Sequence, residues 1–317
     1  MSNTTRGIYT VDKAHCYRTI VADPSGGGGC LNGCKYCYDQ QYSRVRERHI
    51  ANGALKKFSV GRVRQQLVGN SKVKKLLDRD RVVRIGALGD IRIDDWENYK
   101  AYRLLMQLLW AHGYHYQVVT KSAHSIDDSM LDLIAEHDGI LSVSMAYYSR
   151  EAAAKLENVE ITSPAQRRGL IVRAIKKGIN VTLRLNPMHM DFMPEHVKVL
   201  DWFSWNGGRR VILETLRVME SWCGNMPDVD FTSYVTTRNG GCYNNYYTPH
   251  RETQDSMFKC MIEAAHVMGI NMITICGDMN ANDRFGWKAD TIDCCQCCSV
   301  WPGMMRPTRT WEGDDED

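Results

Sequence analysis

The sequence predicts an α/β protein folded as an incomplete barrel with a C-terminal cysteine-rich extension, and three observations carry that prediction. Short apolar runs rich in β-branched residues recur seven times along the 317 residues. Between them lie stretches with apolar residues three and four apart, the spacing of one helix face. Strands alternating with helices form a parallel sheet, because a parallel connection needs a crossover long enough to hold a helix. Finally, 44% of the residues are apolar, and a chain of this length buries a core without disulfide support.

In chain order the strand candidates are 17–22 (YRTIVA), 82–88 (VVRIGAL), 116–120 (YQVVT), 140–145 (ILSVSM), 179–185 (INVTLRL), 210–215 (RVILET) and 271–276 (NMITIC). Amphipathic crossover helices are expected at 95–112, 127–137, 163–177, 194–204 and 253–268; Leu104, Leu105, Leu108 and Leu109 show the spacing in the first of these. Six or seven such units are too few for a closed eight-stranded barrel and too regular for two unrelated domains. In barrels of this kind chemistry sits on the loops that follow the strands. The expected organisation is a barrel over 1–270, a cysteine-rich capping segment over 271–310 and an acidic disordered tail over 311–317, where five of the last six residues are acids.

The N-terminal ten residues lack the apolar core of a signal peptide, and no run approaches the roughly 18 apolar residues of a membrane-spanning helix. The expectation is a cytoplasmic protein with no membrane partner, whose thiols stay reduced. Twelve cysteines are then available for metal, and seven of them stand in two tight groups. Adjacent and near-adjacent cysteines read as metal ligands rather than disulfide partners.

The first group is Cys30, Cys34 and Cys37, a Cys-x3-Cys-x2-Cys spacing that follows glycines 26–29 and the first predicted strand. Three thiolates from one loop can bind three irons of a cubane cluster and leave the fourth iron open for a small ligand. A zinc knuckle or scattered core cysteines are the alternatives. The second group, Cys294, Cys295, Cys297 and Cys298, contains two overlapping Cys-x2-Cys pairs, and Cys276 at the end of the last strand is the natural further ligand. A second iron–sulfur cluster, a zinc site, or a shielded thiol group without metal are all compatible with it.

With Tyr36 and Tyr38 beside its third cysteine, the loop resembles that of the radical S-adenosylmethionine (SAM) superfamily, and most of all its spore photoproduct lyase-like subgroup. The resemblance extends through Thr120-Lys121-Ser122, Ser142-Val-Ser144, the run from Leu156-Glu157 through Ser163-Pro164 to Arg168, Lys177-Gly178-Ile179 and Asn186-Pro187. It implies a partial (β/α)6 TIM-type barrel, a 4Fe-4S cluster on Cys30, Cys34 and Cys37, and SAM on the open iron. It further implies one-electron reductive cleavage of SAM to a 5′-deoxyadenosyl radical, with the electron supplied by a small donor protein of flavodoxin or ferredoxin type. In the loop Tyr36 is a candidate SAM contact, and Tyr38 resembles the family's adenine contact, unless it packs in the core. Strand ends supply further candidate SAM contacts: Gly89 and Asp90 after the second strand, unless these form an ordinary tight turn; Lys121 facing the SAM carboxylate, unless it is a surface lysine; and Ser144, with Arg184 and Asn186 at the end of the fifth strand. A polar group inside a barrel strand needs a partner, and for these last residues the partner is either SAM or another side chain. The spore lyases carry a hydrogen-donating cysteine near the second-strand loop, whereas Ala87-Leu88-Gly89-Asp90 has none. Repair of thymine photoproducts is therefore not implied. Cys223, Cys242 and Cys260 lie elsewhere and read as inert buried thiols.

Charge narrows the substrate. The chain carries +3 overall, but 44–84 holds thirteen Lys or Arg against three acids, a net of +10, which leaves −7 for the remainder. That polarisation suits a nucleic-acid base or nucleotide as substrate, although solvated helix faces give the same pattern. The competing functions are a radical SAM enzyme acting on a peptide or small metabolite, and a non-catalytic iron–sulfur or zinc nucleic-acid-binding protein.

Overall fold

The computed structural model describes residues 5–10, 20–24, 30, 32–37, 57–86, 90, 96–238 and 245–276. Near the start, β1 (Thr5–Arg6) lies parallel to β4 (Lys57–Phe58), and β2 (Tyr9–Thr10) runs antiparallel to β3 (Ile20–Ala22). Helices α1 (Val60–Val68) and α2 (Lys72–Asp80) lead to β5 (Val82–Ile85), α3 (Trp96–Ala111) to β6 (His115–Thr120), and α4 (Asp128–Glu136) to β7 (Ile140–Ser144). Two helices, α5 (Arg150–Leu156) and α6 (Pro164–Lys176), precede β8 (Asn180–Met188), and α7 (Met193–Trp205) precedes β9 (Arg210–Thr215). Three short strands follow, β10 (Val218–Met219), β11 (Tyr234–Arg238) and β12 (Asn245–Pro249), before α8 (Arg251–Val267) and β13 (Met272–Ile275).

Each of the seven runs read from the sequence holds a strand of one sheet, as far as its residues are described. Its spatial order is β13-β9-β8-β7-β6-β5-β3-β2, and every neighbouring pair except β2 with β3 is parallel. Chain order therefore equals spatial order across seven parallel strands, the signature of a barrel wound by successive crossover helices. Among the described residues β13 pairs with no strand but β9, so the sheet stays open.

Side-chain alternation divides the sheet into two faces. Val83, Ile85, Val118, Leu141, Val143, Leu183, Leu185, Val211 and Leu213 point outward and merge with Leu105, Leu109, Ile134, Leu170, Phe203 and Met261 from the helices into one core. The positions between them point into the barrel. Burying each large apolar side chain contributes about 1.5–3 kcal/mol, so this convex layer holds the helices on. Local signals agree with it: Ser163 accepts from the Gln166 N–H, Gln166 returns a bond to the Ser163 backbone, and Pro164 sits in the first turn of α6.

The sequence reading missed α1, α2 and α5 and the antiparallel sheet β10-β12-β11. Helices α1 and α2 lie in the basic stretch, where Lys and Arg mask the few inward positions Val63, Leu67 and Leu77. Among the described residues no helix is long and apolar enough to cross a membrane.

Candidate functional site

The cysteine loop follows β3 at the carboxyl ends of the parallel strands, and three elements pin it. The Lys35 N–H donates to the Leu156 carbonyl at the end of α5 (2.9 Å), and the Asn158 N–H to the Asn32 carbonyl (3.4 Å). From the opposite side Trp222 Nε1 donates to the Lys35 carbonyl at 2.5 Å. Gly33 has φ 53°, a conformation costly for other residues, which lets the chain turn between Asn32 and Cys34. Trp222, Cys223, Phe231, Tyr234 and Tyr247 from the segment carrying β10–β12 pack with Cys34, Tyr36 and Cys37 into a second apolar cluster over the loop.

Cys30, Cys34 and Cys37 are free thiols, Cys34 buried and the other two half-buried. Burial pushes the Cys34 thiol up to about 12 despite the opposing charge of Lys121. Cys30 is raised too, by burial and then by Asp90, while the Asn32 and Asp90 N–H groups pull it back down. Cys37 adds to the rise at both, so the three sulfurs feel one another. Thiols of this kind hold their protons until a metal displaces them. Among the described residues no His, Cys, Asp or Glu trio is drawn tightly enough to hold a single metal ion. The loop's donors are nonetheless three sulfurs, the soft ligand set of an iron–sulfur cluster or of zinc.

Two buried carboxylates organise the surroundings. Asp90 accepts from the Lys121 N–H (2.7 Å), the Ser122 N–H (3.0 Å), the Thr120 hydroxyl (2.5 Å) and the Asn32 amide (2.5 Å), and so ties the β6 loop to the cysteine loop. Glu157 receives the Tyr36 hydroxyl and Arg167 Nη2, with Lys121 Nζ at 3.1 Å. Burial alone would raise the Glu157 pKa, but Arg167 and Lys121 outweigh it and hold the group down at about 2. Arg167 and Glu157 are each 1% exposed, and Arg167 also donates to the Ser144 and Thr162 carbonyls. Lys121 Nζ stands 3.8 Å from Cys34 Sγ and 4.3 Å above the Tyr36 ring. Across the barrel Arg184 and Asn186 both donate to Glu214 on β9, Arg184 at 3.3 Å.

The structure thus gathers Cys30, Cys34, Cys37, Tyr36, Asp90 and Lys121 in one region, and puts Ser144, Arg184 and Asn186 on the concave face or strand ends beside it. Cys276 is a half-buried free thiol just past β13, its N–H donating to the Leu213 carbonyl at 2.8 Å. Tyr38, Gly89, Cys294, Cys295, Cys297 and Cys298 lie outside the described residues. Four residues escaped the sequence reading as site members: Glu157, Arg167, Glu214 and Asn32. A charged residue in a helical stretch looks like surface, and only its burial singles it out.

The open, mostly parallel barrel is a fold that solved structures share. Spore photoproduct lyase superposes with a TM-score of 0.60 over 85% of this chain and 80% of its own, at 12% identity. The same enzyme in complex with a dinucleoside spore photoproduct gives 0.57 over 78% and 73%, at 13% identity. SuiB of Streptococcus suis, bound to S-adenosylmethionine, gives 0.50 over 86% of this chain and 49% of its own, at 11% identity. No protein-family model and no curated protein sequence matches the chain. At these identities what is shared is the fold, and it is the fold that the cysteine loop led one to expect.

Proposed function

We propose that the chain is a radical SAM enzyme that removes a hydrogen atom from a nucleic-acid base or nucleotide. The observation that carries the reading is the position of Cys30, Cys34 and Cys37: one loop, braced on both sides, at the active face of an open barrel. A 4Fe-4S cluster on these three thiolates, with SAM on its open iron and an electron from a small donor protein, supplies the reductive cleavage of SAM to methionine and a 5′-deoxyadenosyl radical. The chain's own residues do the rest. Arg167 and Lys121 neutralise Glu157, and Glu157 holds the Tyr36 hydroxyl, so the loop keeps its shape as ligands come and go. Lys121, beside Cys34, is placed to meet a carboxylate such as that of SAM, with Asp90, Gly89, Ser144, Arg184, Asn186 and Tyr38 completing the cofactor's surroundings. The second apolar cluster excludes water from the outer side of the loop, which protects so reactive a radical from quenching.

That spore photoproduct lyase was crystallised with a dinucleoside, and SuiB with SAM, supports the cofactor and the kind of substrate. Anaerobically reconstituted protein, reduced in the presence of SAM, is expected to release 5′-deoxyadenosine. Replacing Cys30, Cys34 and Cys37 together by Ala should abolish it. Undiminished product from the triple variant sinks the reading, and iron-loaded wild type that never cleaves SAM favours a binding module.

A further inference from the structure

The ammonium of Lys121 is held where three acceptors surround it, and one of them is sulfur. Nζ stands 3.8 Å from Cys34 Sγ and 3.1 Å from Glu157 Oε1, and it also donates to the Tyr36 hydroxyl. An ammonium carries three N–H donors and no acceptor, so each contact can take one of them. The backbone fixes the residue behind these bonds. The Lys121 N–H donates to Asp90 Oδ2 at 2.7 Å, and the Lys121 carbonyl accepts the Thr162 hydroxyl at 3.1 Å. Only 14% of the side chain is exposed, so water screens its charge little.

Glu157 does not absorb that charge by itself. Its Oε2 already accepts from Arg167 Nη2, and Arg167 is anchored from behind by the Ser144 carbonyl (3.3 Å) and the Thr162 carbonyl (3.1 Å). One carboxylate thus faces two cations, and the surplus falls on the lysine side, where Cys34 lies. The other buried carboxylate, Asp90, acts on Cys30 instead, while it accepts from Asn32, Thr120, Lys121 and Ser122. The cysteine loop is therefore polarised, with cations at Cys34 and a carboxylate at Cys30. A cation gains little from a neutral thiol. Metal binding turns the thiol into a thiolate, and the electron that reduces a cluster adds a further negative charge. Where little water reaches, a fixed positive charge and an N–H bond to sulfur stabilise both, and these are among the factors that set a cluster's potential.

We propose that Lys121, kept from full pairing with Glu157 by Arg167, is the charge partner of the Cys34 sulfur and sets the reduction potential of the cluster bound there. The inference rests on the reading that Cys30, Cys34 and Cys37 hold a 4Fe-4S cluster. It deepens that reading by assigning the ease of reduction to a buried Lys–Glu–Arg group as well as to the ligands. One electron enters the cluster, no bond forms or breaks in the protein, and the negative charge gained is what the ammonium stabilises. Loss of the ammonium therefore makes the cluster harder to reduce. Loss of the Glu157 carboxylate releases the ammonium to the sulfur and makes reduction easier.

Titration of the full reconstituted chain with dithionite, followed by electron paramagnetic resonance, reads the potential directly. SAM is left out, so that no added carboxylate competes for Lys121. Lys121→Gln is expected to lower the potential, Glu157→Gln to raise it, and the double variant to fall between the two. Lys121→Arg keeps the charge and should stay near wild type. Lys121→Gln leaves the Arg167–Glu157 pair intact and should fold. Should Glu157→Gln fail to fold because Arg167 then faces a neutral amide, the contrast between Gln and Arg at position 121 decides alone. A lysine that only supports the fold gives no such ordering. Single variants that shift the potential in the same direction or not at all, or a Lys121→Arg as low as Lys121→Gln, overturn the proposal. Protein that assembles no cluster overturns it together with the radical reading. Potentials that follow the ordering in protein that releases no 5′-deoxyadenosine from SAM refute the radical reading alone.

Discussion

Glu157 sits between two cations and a phenol where water does not reach, so its charge is stable only while Arg167 and Lys121 face it. In the sequence it is one acid among 37 Asp and Glu, and nothing in its spacing marks it. The cysteines beside it were legible because ligand geometry imposes a spacing that composition does not. His196 on α7 belongs to the same hidden class. It is 0% exposed, accepts the His189 N–H at Nε2 (3.0 Å) and donates from Nδ1 to the Ala146 carbonyl (2.6 Å), which fixes a neutral ring. Burial lowers its pKa from 6.5 to about 4. Above pH 6.5 the ring is neutral in both folded and unfolded chains and its contribution is fully present. As the pH falls from 6.5 towards 4, only the unfolded chain takes up the proton, so about 3 kcal/mol of stability is lost. Urea unfolding at pH 7.5 and pH 4.5 measures the loss, and His196→Gln should flatten it.

At the scale of elements, legibility tracked how each element earns its burial. The seven strands of the main sheet stood out because their β-branched runs are buried on the convex side and bounded by helices with a clean periodicity. The strands β10–β12 did not, since they are two to five residues long, β11 and β12 are largely polar, and their register comes from pairing with each other. Yet this small sheet, with the turn at 220–225, braces the cysteine loop from outside. Trp222→Phe keeps an aromatic side chain and deletes the N–H that holds the Lys35 carbonyl, at a cost of about 0.5–1.5 kcal/mol for the lost bond. Hydrogen exchange at the amides of 34–37 should then accelerate, with exchange in β7 and β8 unchanged. Equal acceleration in all three places would mean that the sheet stabilises the whole barrel rather than the loop.

For the molecule as a whole, metal stoichiometry decides how the C-terminal cysteines are used. Cys276 lies just past β13 at the active face, and the later four lie outside the described residues. If they form a second iron–sulfur site with Cys276, careful reconstitution gives about eight irons per chain; about four irons with one zinc makes the site structural, and about four with no zinc leaves it without metal. The open sheet has a separate consequence. In a closed barrel, strand number and stagger together set the radius, and hydrogen bonds around the full circuit resist any change in it. Here, among the described residues, the circuit is broken between β13 and β2, the two edges of the sheet. Girth is therefore a soft coordinate: a small change in twist at each of six parallel junctions adds up to a wide change in aperture while every hydrogen bond is kept. A barrel of this kind adjusts its bore to what it encloses through elastic compliance spread over the whole wall, without a hinge or a moving lid.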